Sequence, residues 1–189
     1  MERILLVSAT EKSRTMLSQF LTSCGVQAQL APASSGAEAR RMLVDGLFDL
    51  ILVNTPLPDE FGTELALDLS GGTAGVLLLV KNDYFDQVCY KVEREGVLTV
   101  GKPSSRQTLY GAVKLAAAMS ARLAKMERKN KTLQEKMADI RTVNRAKWLL
   151  IENLNMTERD AHYYIEKQAM DMRLSRHEVA ENIIRTYDK

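Results

Sequence analysis

Residues 48–62, FDLILVNTPLPDEFG, hold an apolar run that ends on an asparagine and breaks into a proline-containing turn. A short run such as DLILVN (49–54), bounded by turn residues, suits a strand buried on both faces. Runs of the same kind occur on either side: RILLVS (3–8), VQAQLA (26–31), GVLLLV (75–80) and VLTVG (97–101). Between them lie amphipathic segments, with helix starts expected near Glu11, Ser35, Asp59 and Tyr84. Strand then helix, repeated, predicts an α/β domain with a five-stranded, doubly wound parallel sheet covered on both faces.

In a flavodoxin-like sheet of this kind, ligands and chemistry sit at the carboxyl ends of the strands. Those ends carry Ser8 and Ala9, Asn54, Val80 and Lys81, and Lys102 with Pro103. ILLVS, FDLILVNTPLPDEFG and GKP, in this order, resemble a response-regulator receiver domain over essentially the whole first domain. The resemblance implies an acidic pair where Ser8 and Ala9 stand, a phosphoacceptor aspartate at Asn54, a Thr or Ser near Val80, and a phosphate-sensing lysine at Lys102. Phosphoryl transfer needs a carboxylate nucleophile, and carboxylates to hold Mg²⁺ through oxygen. Asn54 is a poor nucleophile, and Ser8 with Ala9 offers the metal no charge. The expectation is therefore a degenerate phosphorylation site (Ser8, Ala9, Asn54, Val80, Lys102) in a pseudo-receiver used for docking or dimerisation, with a regulatory protein as its candidate partner. Lys102 is expected to make a hydrogen bond in a neutral pocket. Asp59, Glu60 and Asp83 read as surface acids or helix caps.

The 189 residues leave room for one ordinary domain plus an appendage, and with 46% hydrophobic and 26% charged side chains the chain is not compositionally disordered. The net charge of +2 divides unevenly: residues 120–149 carry nine Lys or Arg against three acidic groups, a local +6. Such a helix either attracts phosphate or forms the charged exterior of a coiled coil. Cys24 and Cys89 lack metal-ligand spacing and read as buried or bystander thiols. No signal peptide or apolar run of spanning length stands in the sequence, which predicts a cytoplasmic protein with no membrane contact.

After Gly111 no Gly or Pro interrupts the chain. Ala116, Met119, Leu123, Met126, Asn130, Leu133, Met137, Ile140 and Asn144 recur at alternating spacings of three and four, a heptad seam. Asn130 and Asn144 on that seam can pair across a parallel two-stranded coil and set its register. The alternative is a helix folded back on its own first domain. The seam residues Met119 to Asn144 are thus expected to hold a homodimer as a parallel coiled coil.

The closing stretch, RAKWLLIENLNMTERDAHYYIEKQAMDMRLSRHEVAENIIRTY (145–187), reads as a helix end followed by two capped helices. Thr157 with Asp160, and Ser175 with Glu178, place a hydroxyl cap and a first-turn carboxylate at each start. Ala161, Tyr164, Ile165, Gln168, Ala169 and Met172 form one stripe, and Val179, Ala180, Ile183, Ile184 and Tyr187 another. Trp148, Leu149 and Ile151 are expected to cover them. The opposite face of the first capped helix presents Arg159, Tyr163, Lys167, Met170 and Arg173. That face mixes charge for phosphates with an aromatic ring for unstacked bases, and Arg145 and Lys147 could extend it. His162 and His177 have no catalytic companion at useful spacing and read as surface or packing residues.

A-K-x-L-L-I-E (146–152), N-M-T-E-x-x-A (155–161), Y-x-I-x-x-Q-A-M-D (163–171) and E-V-A-E-x-I-I (178–184) resemble the ANTAR domain of bacterial transcription antiterminators. The resemblance implies binding of RNA hairpins in leader transcripts to prevent terminator formation, with no enzymatic reaction, cofactor or metal. The expected organisation is a receiver-like domain over 1–119, a coiled-coil helix over 120–146 and a three-helix, all-α RNA-binding unit over 147–189. Two other functions compete: a DNA-binding response regulator, and a protein-interaction adaptor that does not touch nucleic acid. A recognition helix starting Ser175-Arg176-His177-Glu178 is poorly equipped for a DNA duplex.

Overall fold

In a computed structural model that describes residues 3–188, strands β1 (Arg3–Ser8), β2 (Gln29–Ala33), β3 (Leu50–Asn54), β4 (Gly75–Lys81) and β5 (Leu98–Lys102) pair in parallel in the order β2-β1-β3-β4-β5. This is the doubly wound order expected from alternating strands and helices. The helices are α1 (Glu11–Ser23), α2 (Gly36–Asp45), α3 (Thr63–Ser70), α4 (Phe85–Val92), α5 (Arg106–Leu154), α6 (Glu158–Met172) and α7 (Arg176–Tyr187). The expected domain limits at residues 1 and 189 lie outside the described residues.

Alternation along the strands divides the core. Leu5, Val7, Ile51, Val53, Leu78 and Val80 pack with Ala39 of α2, Leu65 and Ala66 of α3, and Val88 and Val92 of α4. Ile4, Leu6, Leu50, Leu52, Leu77 and Leu79 pack with Leu17 and Leu21 of α1 and with Val113 and Ala116 of α5. Gly75 permits α5 to approach, since a Cβ there would lie 2.5 Å from the Ala116 carbonyl oxygen. Ala116 thus belongs to this core rather than to the exposed seam that the heptad spacing assigns it to. The period of a helix says which residues share a face, but the sheet claims the first turns of α5.

Two further expectations shift. β2 begins three residues later than VQAQLA suggests and includes Pro32, which an edge strand tolerates. Asp59 does not begin α3. Its carboxylate accepts the Gly36 and Ala37 N–H groups, both at 2.9 Å, at the start of α2. These bonds hold it below the usual aspartate range. Glu60 pairs with Arg40 of the same helix.

The chain separates into two compact units, Met1–Met126 and Glu127–Lys189. The second has its own core: Ala146 and Leu150 of α5, Ala161, Ile165 and Ala169 of α6, and Val179, Ala180 and Ile183 of α7. Small residues at 146, 161, 169 and 180 keep the helix backbones close. Both predicted caps form. Thr157 Oγ1 accepts from Asp160 N at 3.2 Å, and Ser175 and Glu178 make a reciprocal capping box. Trp148 departs from expectation and is 70% exposed. It lies two residues, about 200° of helix, from buried Ala146 and Leu150, so it points away from the core they enter. Met172, at 59% exposure, also leaves the α6 stripe.

Candidate functional site

Strand register assembles the pocket at the carboxyl edge of the sheet. Ser8 is paired with Asn54 across β1 and β3, and Lys81 with Lys102 across β4 and β5. Asn54 Nδ2 donates to Ser8 Oγ at 3.0 Å, and Lys102 Nζ donates to Asn54 Oδ1 at 2.5 Å and to the Thr55 carbonyl at 2.6 Å. Ser8 and Val80 are buried, whereas Ala9 is exposed and contributes no polar side chain. Burial, and then the nearby Lys81 charge, pull the Lys102 ammonium below the ordinary lysine range.

A receiver fold calls for a magnesium ion here, and these groups do not fit one. Hard divalent cations take carboxylate oxygens, whereas Ser8 and Asn54 are neutral. The Asn54 oxygen that would face a cation already accepts from the Lys102 ammonium. The chain of Ser8, Asn54, Lys102 and the Thr55 carbonyl satisfies itself, as buried polar groups must.

On the second unit, Arg159, Tyr163, Lys167 and Met170 stand on the α6 face opposite Ala161, Ile165 and Ala169, and all four are exposed. Tyr163 is 63% and Met170 70% exposed. Arg173 ends the helix in the left-handed region at φ 56° and is exposed as well. The first four therefore share one face of α6 as the spacing requires, and Arg173 follows at its C-cap.

Arg145 and Lys147 stand in grooves between helices. Arg145 pairs with Asp188 beyond α7 and lines a groove with Arg141, Glu181 and Arg185. Lys147 reaches Glu158 Oε1 at 3.3 Å and lines a different groove with Asp139, His162, Arg176 and His177. The sequence reading missed both grooves, because they are made between helices rather than along one. His177 Nδ1 lies 3.0 Å from Asp139 Oδ1, and His177 Nε2 lies 3.4 Å from Glu181 Oε1. From α7 it thus reaches α5, the packing role of the two expected for it.

Seam positions on α5 are open in the single chain. Leu123, Met126, Leu133, Met137 and Ile140 are all at least 43% exposed, Asn130 and Asn144 are also exposed, and Met119 is half-buried. A lone soluble helix does not ordinarily present so many large apolar side chains in register.

Residues 131–184 match the ANTAR domain model. The transcriptional regulatory protein PdtaR of Mycobacterium tuberculosis (strain CDC 1551 / Oshkosh) is 28% identical over 185 residues, spanning 97% of this chain and 90% of that one. The aliphatic amidase regulator of Pseudomonas aeruginosa is 29% identical over 126 residues, 64% of this chain and 63% of its own length. Among solved structures, a response regulator receiver domain protein from Clostridium thermocellum superposes with a TM-score of 0.57 at 19% identity, over 65% of this chain and 99% of that one. A CheY-like receiver domain protein from Methanospirillum hungatei JF-1 gives 0.57 at 19% identity, over 65% and 98%. These structural likenesses concern the fold. Among the described residues, no helix is long and apolar enough to cross a membrane. Behind the receiver-like sheet order of the first unit, the capped helices of the second thus fall in the stretch that matches the ANTAR domain model.

Proposed function

We propose that this protein is an RNA-binding transcription antitermination regulator, not an enzyme, which binds hairpins in leader transcripts as a dimer and prevents terminator formation in the cytoplasm. The observation that carries this reading is the α6 face of the ANTAR unit. It turns Arg159, Tyr163, Lys167, Met170 and Arg173 outward, while the cap and core residues that match the family build the scaffold beneath. Tyrosine and arginine planes can stack on bases splayed from a hairpin loop, and the cations meet the phosphates. In this reading residues 1–119 are the receiver-like domain, 120–146 the pairing helix and 147–189 the RNA-binding domain.

Gel shifts with leader RNA from the adjoining gene cluster, a matched DNA duplex and a non-cognate hairpin test the proposal. The leader RNA should shift at the lowest protein concentration. Preference for the duplex would replace the reading with a DNA-binding regulator, and no shift with any of the three would favour an adaptor. Lys167→Ala with Arg173→Ala should weaken RNA binding and lower its salt slope by about one to two. Unchanged binding would move the contact surface elsewhere.

The first unit, in the same proposal, does not take up phosphate and acts as a docking module for a regulatory protein. Its support is the Ser8–Asn54–Lys102 chain, which has no carboxylate either to accept the phosphoryl group or to hold a metal. Incubation with acetyl phosphate and Mg²⁺ should leave the intact mass unchanged. Asn54→Asp alone should remain unphosphorylated too, because Ser8 and Ala9 still offer no carboxylate. A phosphorylated species from the parent protein would overturn the pseudo-receiver reading.

A further inference from the structure

We propose that the groove between α5 and α7, where Arg141, Arg145 and Arg185 converge, is a second RNA contact that grips the phosphate backbone of the hairpin. It rests on the RNA-binding reading above and adds a surface on the opposite partner helix from the α6 face. The groove has a volume of about 360 Å³ and is lined by these three arginines with Thr142, Glu181 and Ile184. Arg141 and Arg145 are one turn apart on α5, so their side chains leave the same face, and Arg185 meets them from the last turn of α7.

Charge favours an anion there. Three guanidinium groups are set against two carboxylates, Asp188 on Arg145 and Glu181 on Arg185, the latter at 3.5 Å. Arg141 is exposed and has no ion-pair partner among the described residues. Both existing pairs are solvent-exposed, with side chains at least 36% accessible. Such pairs are held weakly and can be exchanged for a phosphate at little cost. Arginine is suited to that exchange, since its planar fork gives two parallel hydrogen bonds to phosphate oxygens. In this proposal the guanidinium groups of the groove go to phosphate oxygens, so the groove positions the RNA and leaves sequence reading to α6. The basic bias of residues 120–149 continues into it through Arg141 and Arg145.

The test is fluorescence anisotropy of full-length protein with labelled leader RNA and a non-cognate hairpin across a salt series. Arg141→Ala with Arg185→Ala should lower affinity for both RNAs by about tenfold and reduce the salt slope by about one to two, leaving their ratio unchanged. Asp188→Asn, which removes the acid competing for Arg145, should raise affinity by about two- to fivefold. A gain of binding cannot arise from damage to the fold. If the double arginine variant binds both RNAs with parent affinity and slope, or Asp188→Asn weakens binding, the groove is not a contact. In that event the Lys167/Arg173 variant still tests the α6 face by itself. If the parent protein binds neither RNA, the RNA-binding reading falls and the groove with it.

Discussion

Replacing Leu133 and Ile140 by glutamate should leave the protein monomeric and lower its affinity for a tandem pair of hairpins by about a hundredfold or more. The effect on a single hairpin should be small. Both side chains are in the middle of the α5 seam and are 49% and 60% exposed in one chain, so neither change empties a core. In a parallel pair each would bring a carboxylate into the apolar seam opposite its own copy, where an unpaired charge is costly. Two linked RNA-binding units raise the effective concentration of the second binding event, which accounts for factors of about 10² to 10⁴. Sedimentation velocity reads the oligomeric state, and titration of one-hairpin and two-hairpin RNAs reads the avidity. A dimer that survives both changes would place the pairing surface elsewhere. Equal affinity of the parent protein for one and two hairpins would remove the paired-binding mechanism.

Leu150→Ala should cost about 2–5 kcal/mol and abolish RNA binding by unfolding the second unit. Leu150 is fully buried among Ala146, Ala161, Ile165 and Ala180, in a core made from three helices. A unit of this size has little stability to lose. The contrast is Trp148→Ala two positions earlier. Although tryptophan is the larger side chain, it is 70% exposed, and its loss should change stability by no more than about 0.5 kcal/mol. Hydrogen exchange at α6 and α7 distinguishes the two, because Leu150→Ala should release protection there while the sheet amides of the first unit stay protected. Comparable loss of protection from Trp148→Ala would show that the ring covers the core after all.

Trp148 also shows where the reading of residues one after another stops. Its neighbours Leu149 and Ile151 do pack on the terminal core, and a large aromatic beside them looks like a third contributor. Helical phase decides otherwise: once Ala146 and Leu150 point inward, residue 148 points out. The same limit explains Arg145. Sequence spacing puts it close to Lys147, yet the two side chains enter different grooves, one toward α7 and one toward α6. The pocket of the first unit was far more open to a reading from the sequence. Its residues end consecutive strands of a sheet whose order follows from the strand–helix alternation.

What the sequence determined by itself was local or periodic. Buried strand runs specify the five-stranded sheet, hydroxyl–carboxylate pairs mark the starts of α6 and α7, and positions 8, 9 and 54 hold no carboxylate. These need only neighbours within a turn or a pleat. Tertiary structure decided which faces meet. It joined Lys102 to Asn54 across the sheet, drew Ala116 into the core, and gathered Arg141, Arg145 and Arg185 from two helices into one groove. The physical reason is that periodicity fixes a side chain's direction on its own element, whereas its partners depend on how separate elements pack.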